Sequence, residues 1–195
     1  MFADLLGTPG VQECVELRSP AGFMALHGGS LERRTAEIAS LAATRAGASL
    51  YAVLQPENLR WHLPSHLADP TESDGLRAFL AHCDVVFSLH GYGRDGYWTT
   101  VLVGGADRPF AATVATALRA ALPGYEVVDD LATIPVELRG VHPANPVNLA
   151  PRGVQLELPP RVRGLGPRWH HLVDGELAPP TRALVDTLAA LARDA

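Results

Sequence analysis

Four side chains in this sequence have the types and spacing for chemistry: His27, Glu32, His90 and Glu157. His27 closes the apolar phrase Phe23-Met24-Ala25-Leu26 and is followed by Gly28-Gly29-Ser30-Leu31-Glu32. That order reads as a strand entering a tight glycine turn and then a helix, a junction that can aim an imidazole and a carboxylate at one point. His90 ends a second phrase of the same kind, Val85-Val86-Phe87-Ser88-Leu89-His90-Gly91. Two imidazoles and a carboxylate, with a fourth position left for water, make a ligand set of catalytic zinc. Activated water still needs a proton acceptor. Glu157 is the candidate, a carboxylate in the otherwise apolar stretch Gly153 to Leu158, where burial is costly unless it faces a site. Residue type alone leaves plainer alternatives open: a hydrogen-bonded core histidine at 27 or 90, and a solvent-facing strand glutamate at 157. Arg139, Arg152, Arg161 and Arg163 surround Asn145-Pro146-Val147-Asn148 and the Glu157 stretch. A guanidinium can grip a carboxylate through two parallel bonds, although scattered solvated arginines are the bland account of the same pattern.

Positioning these groups requires strands that end at a common edge. Val11 to Arg18 alternates loosely, as an edge strand does, and Phe23 to His27 is a short buried strand. Ser30 is placed to cap a helix whose face carries Leu31, Thr35, Ile38 and Ala42, with Gly47 to end it. Ser49 to Leu54 is the next strand, so the three elements form a βαβ unit with a parallel pair. Residues 59–70 read as an extended piece and a proline-punctuated loop, and Thr71 or Ser73 caps a helix burying Leu76, Phe79, Leu80 and Cys83. Asp84 to Leu89 is continuously apolar, as in a sheet covered on both faces. Thr99 to Val103 is a strand, and Asp107 and Pro109 open a helix with the stripe Val114, Leu118 and Leu122. Tyr125 to Val128 and Gly153 to Leu158 are strands separated by a long loop from Leu131 to Arg152. Residues 159–180 read as loop, and the chain ends on a helix with Leu184, Leu188 and Leu191 on one face. The expected fold is a single α/β domain over residues 1–195, a mixed and mostly parallel sheet sandwiched between helices. Sites in such sheets lie at the carboxyl ends of strands, where His27, His90 and Glu157 fall.

Composition narrows the partners. Formal net charge is −5 and hydrophobic content 47%, so no global basic field recruits nucleic acid or an anionic membrane. All 16 basic residues are arginine, and a polyanionic substrate would need a local cationic pocket. Cys14 and Cys83 lie far apart in no metal-like spacing and read as buried thiols. The start lacks a basic segment and a long apolar core, so the expectation is a cytoplasmic protein without a signal peptide, release by another route remaining open. No Gly-x-Ser-x-Gly elbow accompanies His27-Gly28-Gly29, which argues against a serine esterase. Val103-Gly104-Gly105 lacks the Gly-Lys-Ser/Thr ending of a phosphate loop.

Taken in order, these motifs resemble the phage-type poly-γ-glutamate hydrolase family, small zinc enzymes with a carboxypeptidase-like fold. The resemblance spans about residues 3 to 163. It is carried by Ala25 to Glu32 followed by Thr35 and Glu37-Ile38-Ala39, the loop Leu63 to Pro70, Ser88-Leu89-His90-Gly91-Tyr92, Val103-Gly104-Gly105, Gly140 through Asn148, and Gly153 to Leu158. It implies zinc held by His27, Glu32 and His90, with Glu157 as general base. It further implies that Asn148, Arg152 and Arg161 help bind a substrate carboxylate or a polarised carbonyl, and that the substrate is a γ-glutamyl amide polymer or peptide. His62-Leu63-Pro64-Ser65-His66, His142 and the tail beyond Gly164 depart from the family pattern. A zinc carboxypeptidase or amidase acting on ordinary or cell-wall peptides, and a non-catalytic polyanion-binding module of the same fold, are the alternative readings.

Overall fold

A computed structural model describes residues 1–169 and 176–195. A short helix α1 (Phe2–Leu6) leads into strand β1 (Gln12–Glu16), then β2 (Ser19–Gly29), α2 (Thr35–Ala46) and β3 (Ala48–Gln55). Two 3-10 turns (Ser65–Leu67 and Pro70–Glu72) precede α3 (Asp74–His82) and β4 (Val85–Gly91). Next come β5 (Thr100–Gly104), α4 (Arg108–Ala121) and β6 (Glu126–Val128). Two further 3-10 turns (Val136–Leu138 and Pro146–Asn148) lead to β7 (Arg152–Leu158), and α5 (Pro179–Arg193) closes the chain. The part of the expected 159–180 loop at positions 170–175 lies outside the described residues.

The seven strands form one sheet in the order β1-β3-β2-β4-β7-β5-β6. Its centre is parallel: β2 pairs with β3 and β4, and β4 with β7. β1 runs antiparallel at one edge, and β5 runs antiparallel to β7 on the other side. This is the single α/β domain with a mixed, mostly parallel sheet that the strand–helix alternation predicts. Strand periodicity sorts the core. Phe23 and Ala25 of β2, Phe87 and Leu89 of β4, and Val154 and Leu156 of β7 pack against α2, α4 and α5. Met24, Leu26 and Val86 face the other way, onto α1, α3 and the loop residues Leu63, Ala68 and Val147. Among the described residues no helix is long and apolar enough to cross a membrane.

Two local signals are read differently by the structure. Ser30 does not cap α2: its hydroxyl donates to the carbonyls of Pro56 and Leu59. The helix starts at Thr35, after Arg34 adopts a left-handed conformation at φ 75°. Glu32 therefore sits in the turn before the helix and not in its first turn. Ser73 and Asp107 do act as caps, accepting from the N–H groups of Leu76 and Phe110. At the other end of α2, Gly47 takes the left-handed terminating conformation.

Candidate metal centre

A one-residue irregularity in β2 decides where His27 looks. Ala25 is opposite Ala52 on β3, yet Gly28 is opposite Leu54, so β2 carries one extra residue between them. Strict alternation would send His27 with Phe23 and Ala25 toward the helices. The bulge re-aims it to the opposite face, where β4 presents Ser88 and His90. The chain then turns back sharply at Gly29 (φ 72°), where a Cβ would stand 2.3 Å from the carbonyl oxygen of Gln55. The Glu32 N–H donates to the His27 carbonyl at 2.9 Å, and the Thr35 hydroxyl donates to the Glu32 carbonyl at 2.8 Å. These bonds fold the carboxylate back over the strand end.

His27, Glu32 and His90 are all buried, and their donor atoms converge. His27 Nδ1 lies 2.8 Å from Glu32 Oε1 and 3.2 Å from His90 Nδ1, and His90 Nδ1 lies 3.5 Å from Glu32 Oε2. Tetrahedral zinc with ligand bonds of about 2.0–2.2 Å holds its donors about 3.3–3.5 Å apart, close to this triangle. The outer nitrogens fit as well. His27 Nε2 donates to the carbonyl of Leu63 at 2.8 Å, which places a proton there and leaves Nδ1 as the ligand atom. His90 Nε2 meets the Ser88 hydroxyl at 3.1 Å, again leaving Nδ1 inward. Glu32 Oε2 accepts from the Gly91 N–H at 2.8 Å. The donor chemistry and its supports fit zinc.

The electrostatics agree. Burial alone would discourage a charge on His27, but the adjacent Glu32 carboxylate outweighs it and raises the imidazole pKa. Burial likewise works to raise Glu32, and the two facing imidazoles override it to hold the carboxylate well below its usual range. The triangle is thus a place that favours positive charge. His62 is a third imidazole within reach: donors of His27, Glu32 and His62 lie within 4.8 Å of one another. That set is looser than the one with His90, and His62 is exposed.

Glu157 sits directly beside His90 in the parallel β4–β7 ladder. It is buried, and desolvation, with Glu32 nearby, pushes its pKa up to about 8 despite the opposing influence of His90. A chain of amides orients it. Asn145 Nδ2 donates to Gln155 Oε1 at 2.8 Å, and Gln155 Nε2 donates to Glu157 Oε1 at 2.9 Å. Asn145 Oδ1 is a buried acceptor without a partner. All four predicted residues open onto one cavity of about 680 Å³, also lined by His62, His66, Tyr92, Val136, His142 and Asn145. Its size suits a small-molecule or peptide segment.

The four residues expected to bind substrate are not brought into this cavity. Arg152 begins β7, opposite Val85, so it lies about 16 Å along the strand from Glu157. Its guanidinium rests 4.4 Å above the Phe110 ring. Arg139 donates from Nε to the Ile134 carbonyl. Arg161 is exposed, with its carbonyl accepting from Trp169. Asn148 accepts from the Ala106 N–H and donates to the carbonyls of Gly140 and His142. The arginine at the site is Arg163, buried behind it. Its guanidinium and Nε donate to the carbonyls of Leu158, Arg33 and Tyr92 at 3.1, 2.7 and 3.0 Å. A Cβ at position 91 would stand 2.6 Å from its Nη1, so Gly91 makes room for the clamp. Gln155 and Ser88, each two residues before a predicted site residue on the same strand face, were within reach of the alternation rule.

A family model described as "Poly-gamma-glutamate hydrolase" matches residues 8–165. Among solved structures, a bacteriophage poly-gamma-glutamate hydrolase superposes with a TM-score of 0.74 at 21% identity, covering 96% of this chain and 91% of that one. A zinc-free YndL superposes at 0.68 and 23% identity, covering 93% and 87%. A putative carboxypeptidase from Burkholderia mallei gives 0.53 at 13% identity, covering 98% of this chain and 64% of that one. At these identities the structural likeness is one of fold. No curated protein matches the chain in sequence.

Proposed function

The chain belongs to the poly-gamma-glutamate hydrolase family, and on that premise we propose that it is a zinc-dependent hydrolase of γ-glutamyl amide bonds in poly-γ-glutamate or γ-glutamyl peptides. The observation that carries this reading is the convergence of His27 Nδ1, Glu32 and His90 Nδ1 on one point, with Glu157 on the neighbouring strand. His27, Glu32 and His90 would hold the zinc, which when bound supplies Lewis acidity to a carbonyl and lowers the pKa of water.

The remaining work falls to side chains of this protein. Glu157 takes a proton from the water that attacks the amide carbon. It then delivers that proton to the departing nitrogen as the C–N bond breaks, leaving a carboxylate and an amine. Its position beside His90 on the neighbouring strand places the carboxylate next to the ligand set and inside the same cavity. Gln155, itself held by Asn145, fixes the carboxylate's orientation. The Leu63 carbonyl and the Ser88 hydroxyl hold the two imidazoles.

The experiment pairs metal analysis with product release from poly-γ-glutamate. The expected result is about one zinc per chain, cleavage that chelation abolishes, and a Glu157→Gln variant that keeps zinc while losing about 10²–10⁴-fold in rate. Full zinc occupancy without cleavage of any γ-glutamyl substrate would sink the substrate assignment, and zinc loss in the Gln variant would sink the role of Glu157.

A further inference from the structure

The wall above the ligand triangle is short of fixed positive charge. Among the described residues no arginine lines the cavity, and the chain has no lysine. Arg163, behind the site, spends its donors on three carbonyls. Arg94, near the rim, is paired with Glu137. A polymer of γ-linked glutamate carries a free carboxylate on every unit, and some group must meet it.

Two histidines stand where that group is needed. His66 comes from the 3-10 turn Ser65–Leu67 and His142 from the segment between Arg139 and Asn145, so each side of the cavity mouth supplies one. Their rings face each other with centroids 4.4 Å apart and planes at 33°. His142 Nδ1 accepts from the Ala144 N–H at 3.1 Å, which puts the ring proton on Nε2 and leaves that N–H to donate. The ring of His66 makes no hydrogen bond among the described residues. The loop carrying His142 is held from behind, because Asn148 Nδ2 donates to the carbonyls of Gly140 and His142 at 2.7 and 2.9 Å. One imidazole with its donor set by Ala144 and its loop held from behind, and a second imidazole packed against it with its ring nitrogens available, offer two N–H donors at the cavity mouth to a planar two-oxygen acceptor.

We propose that His66 and His142 form a clamp for a free carboxylate of the γ-glutamyl chain and so set the preference for acidic over neutral substrates. This rests on the hydrolase reading above. Neither residue touches the ligand triangle, so the clamp acts on substrate binding and not on metal retention.

The test uses the zinc-loaded full chain and two γ-linked oligomers of equal length, one with free α-carboxylates and one with α-carboxamides. Kinetics are measured for the native protein, for the double variant His66→Ala/His142→Ala, and for His142→Arg. Binding of both oligomers is measured in the Glu157→Gln background, with and without the double substitution. The double variant should raise KM for the acidic oligomer about 10- to 100-fold, the worth of hydrogen bonds to a charged group. Its acidic-over-neutral ratio in kcat/KM should fall toward one, while His142→Arg keeps that ratio high. Survival of the native ratio in the double variant overturns the clamp. If the Gln background binds the acidic oligomer through the histidine pair but the native protein cleaves neither oligomer, the clamp stands and the hydrolase reading falls.

Discussion

The floor and the rim of the cavity are built on opposite principles. On the floor, His27, Glu32, His90 and Glu157 are buried, and each is held by its own partner: the Leu63 carbonyl, the Gly91 N–H, the Ser88 hydroxyl and the Gln155 amide. At the rim, His62, His66, Val136, Glu137 and His142 are exposed and ride on 3-10 turns and irregular segments. A buried ionisable group is tolerated only when its partners are in place, so the floor must be assembled by the sheet before anything binds. A solvated group carries no such demand. The floor can therefore hold one reaction geometry while the rim is free to differ in what it selects. Within His62-Leu63-Pro64-Ser65-His66 the two histidines are exposed and belong to the rim with His142, whereas Leu63 is buried and holds His27 from the floor side.

The largest expected effect tests whether the floor is separate from the rim at all. His90→Ala removes a ligand from the tighter donor set but leaves His27, Glu32 and His62 within mutual reach. The expected outcome is zinc content falling from about one per chain to a small fraction, with turnover following it to background. Zinc retained at full occupancy, and then lost on adding His62→Ala, would show that a rim residue can complete the centre. A second test concerns what joins the floor's edges. Arg163→Met removes a donor to three carbonyls on three separate segments, of which that of Leu158 keeps the Tyr92 N–H. At about 1 kcal/mol or more for each of the two groups left without a partner, on Arg33 and Tyr92, the loss is about 2 kcal/mol, or roughly 6 °C in Tm for a domain of this size. Thermal unfolding followed by circular dichroism measures it, and a shift under 2 °C would mean that water replaces the guanidinium at little cost.

Much of the floor was legible in the sequence because strand and turn rules act over a few residues. His27 before two glycines, His90 before one, and Glu157 in an apolar strand each announce themselves, and parallel pairing brings their ends together. What was illegible arises where contacts cross long separations. The bulge at Leu26–His27 has no local marker, and without it simple alternation would aim His27 at the helices. Ser30 looks like a helix cap, but two carbonyls from the loop after β3 claim its hydroxyl. Arg152 is near Glu157 in sequence and at the far end of the strand in space, because a strand carries its two ends apart. His66 and His142 meet through loops whose approach no periodicity encodes.

A third test sets Glu157's function against stability. Its folded pKa of about 8 stands above the ordinary carboxylate value near 4.3. In metal-free protein the folded state therefore holds a proton that the unfolded chain releases. The contribution to stability is full below about pH 4.3 and is lost as pH rises to about 8. Glu157→Gln has no charge to bury and can still accept from Gln155. Chelated Glu157→Gln should thus match the chelated native protein near pH 4.5 and exceed it by about 4 kcal/mol at pH 8. Urea unfolding at the two pH values reads the difference, and a gap that does not widen with pH would mean that the floor solvates this carboxylate after all.

The smallest effect belongs to the rim. Val136 is 72% exposed on the Val136–Leu138 turn and lines the cavity mouth. An apolar side chain this exposed buries little on folding, so Val136→Ser should change the unfolding free energy by under about 0.5 kcal/mol. If the rim selects, the same substitution can still move KM, because the side chain lies against whatever fills the cavity. Unchanged stability with altered KM would set Val136 apart from every floor residue, whose replacement moves stability, metal or turnover. A loss of stability comparable to that of Arg163→Met would instead show that the turn is part of the scaffold, and the boundary between floor and rim would have to be drawn outside it.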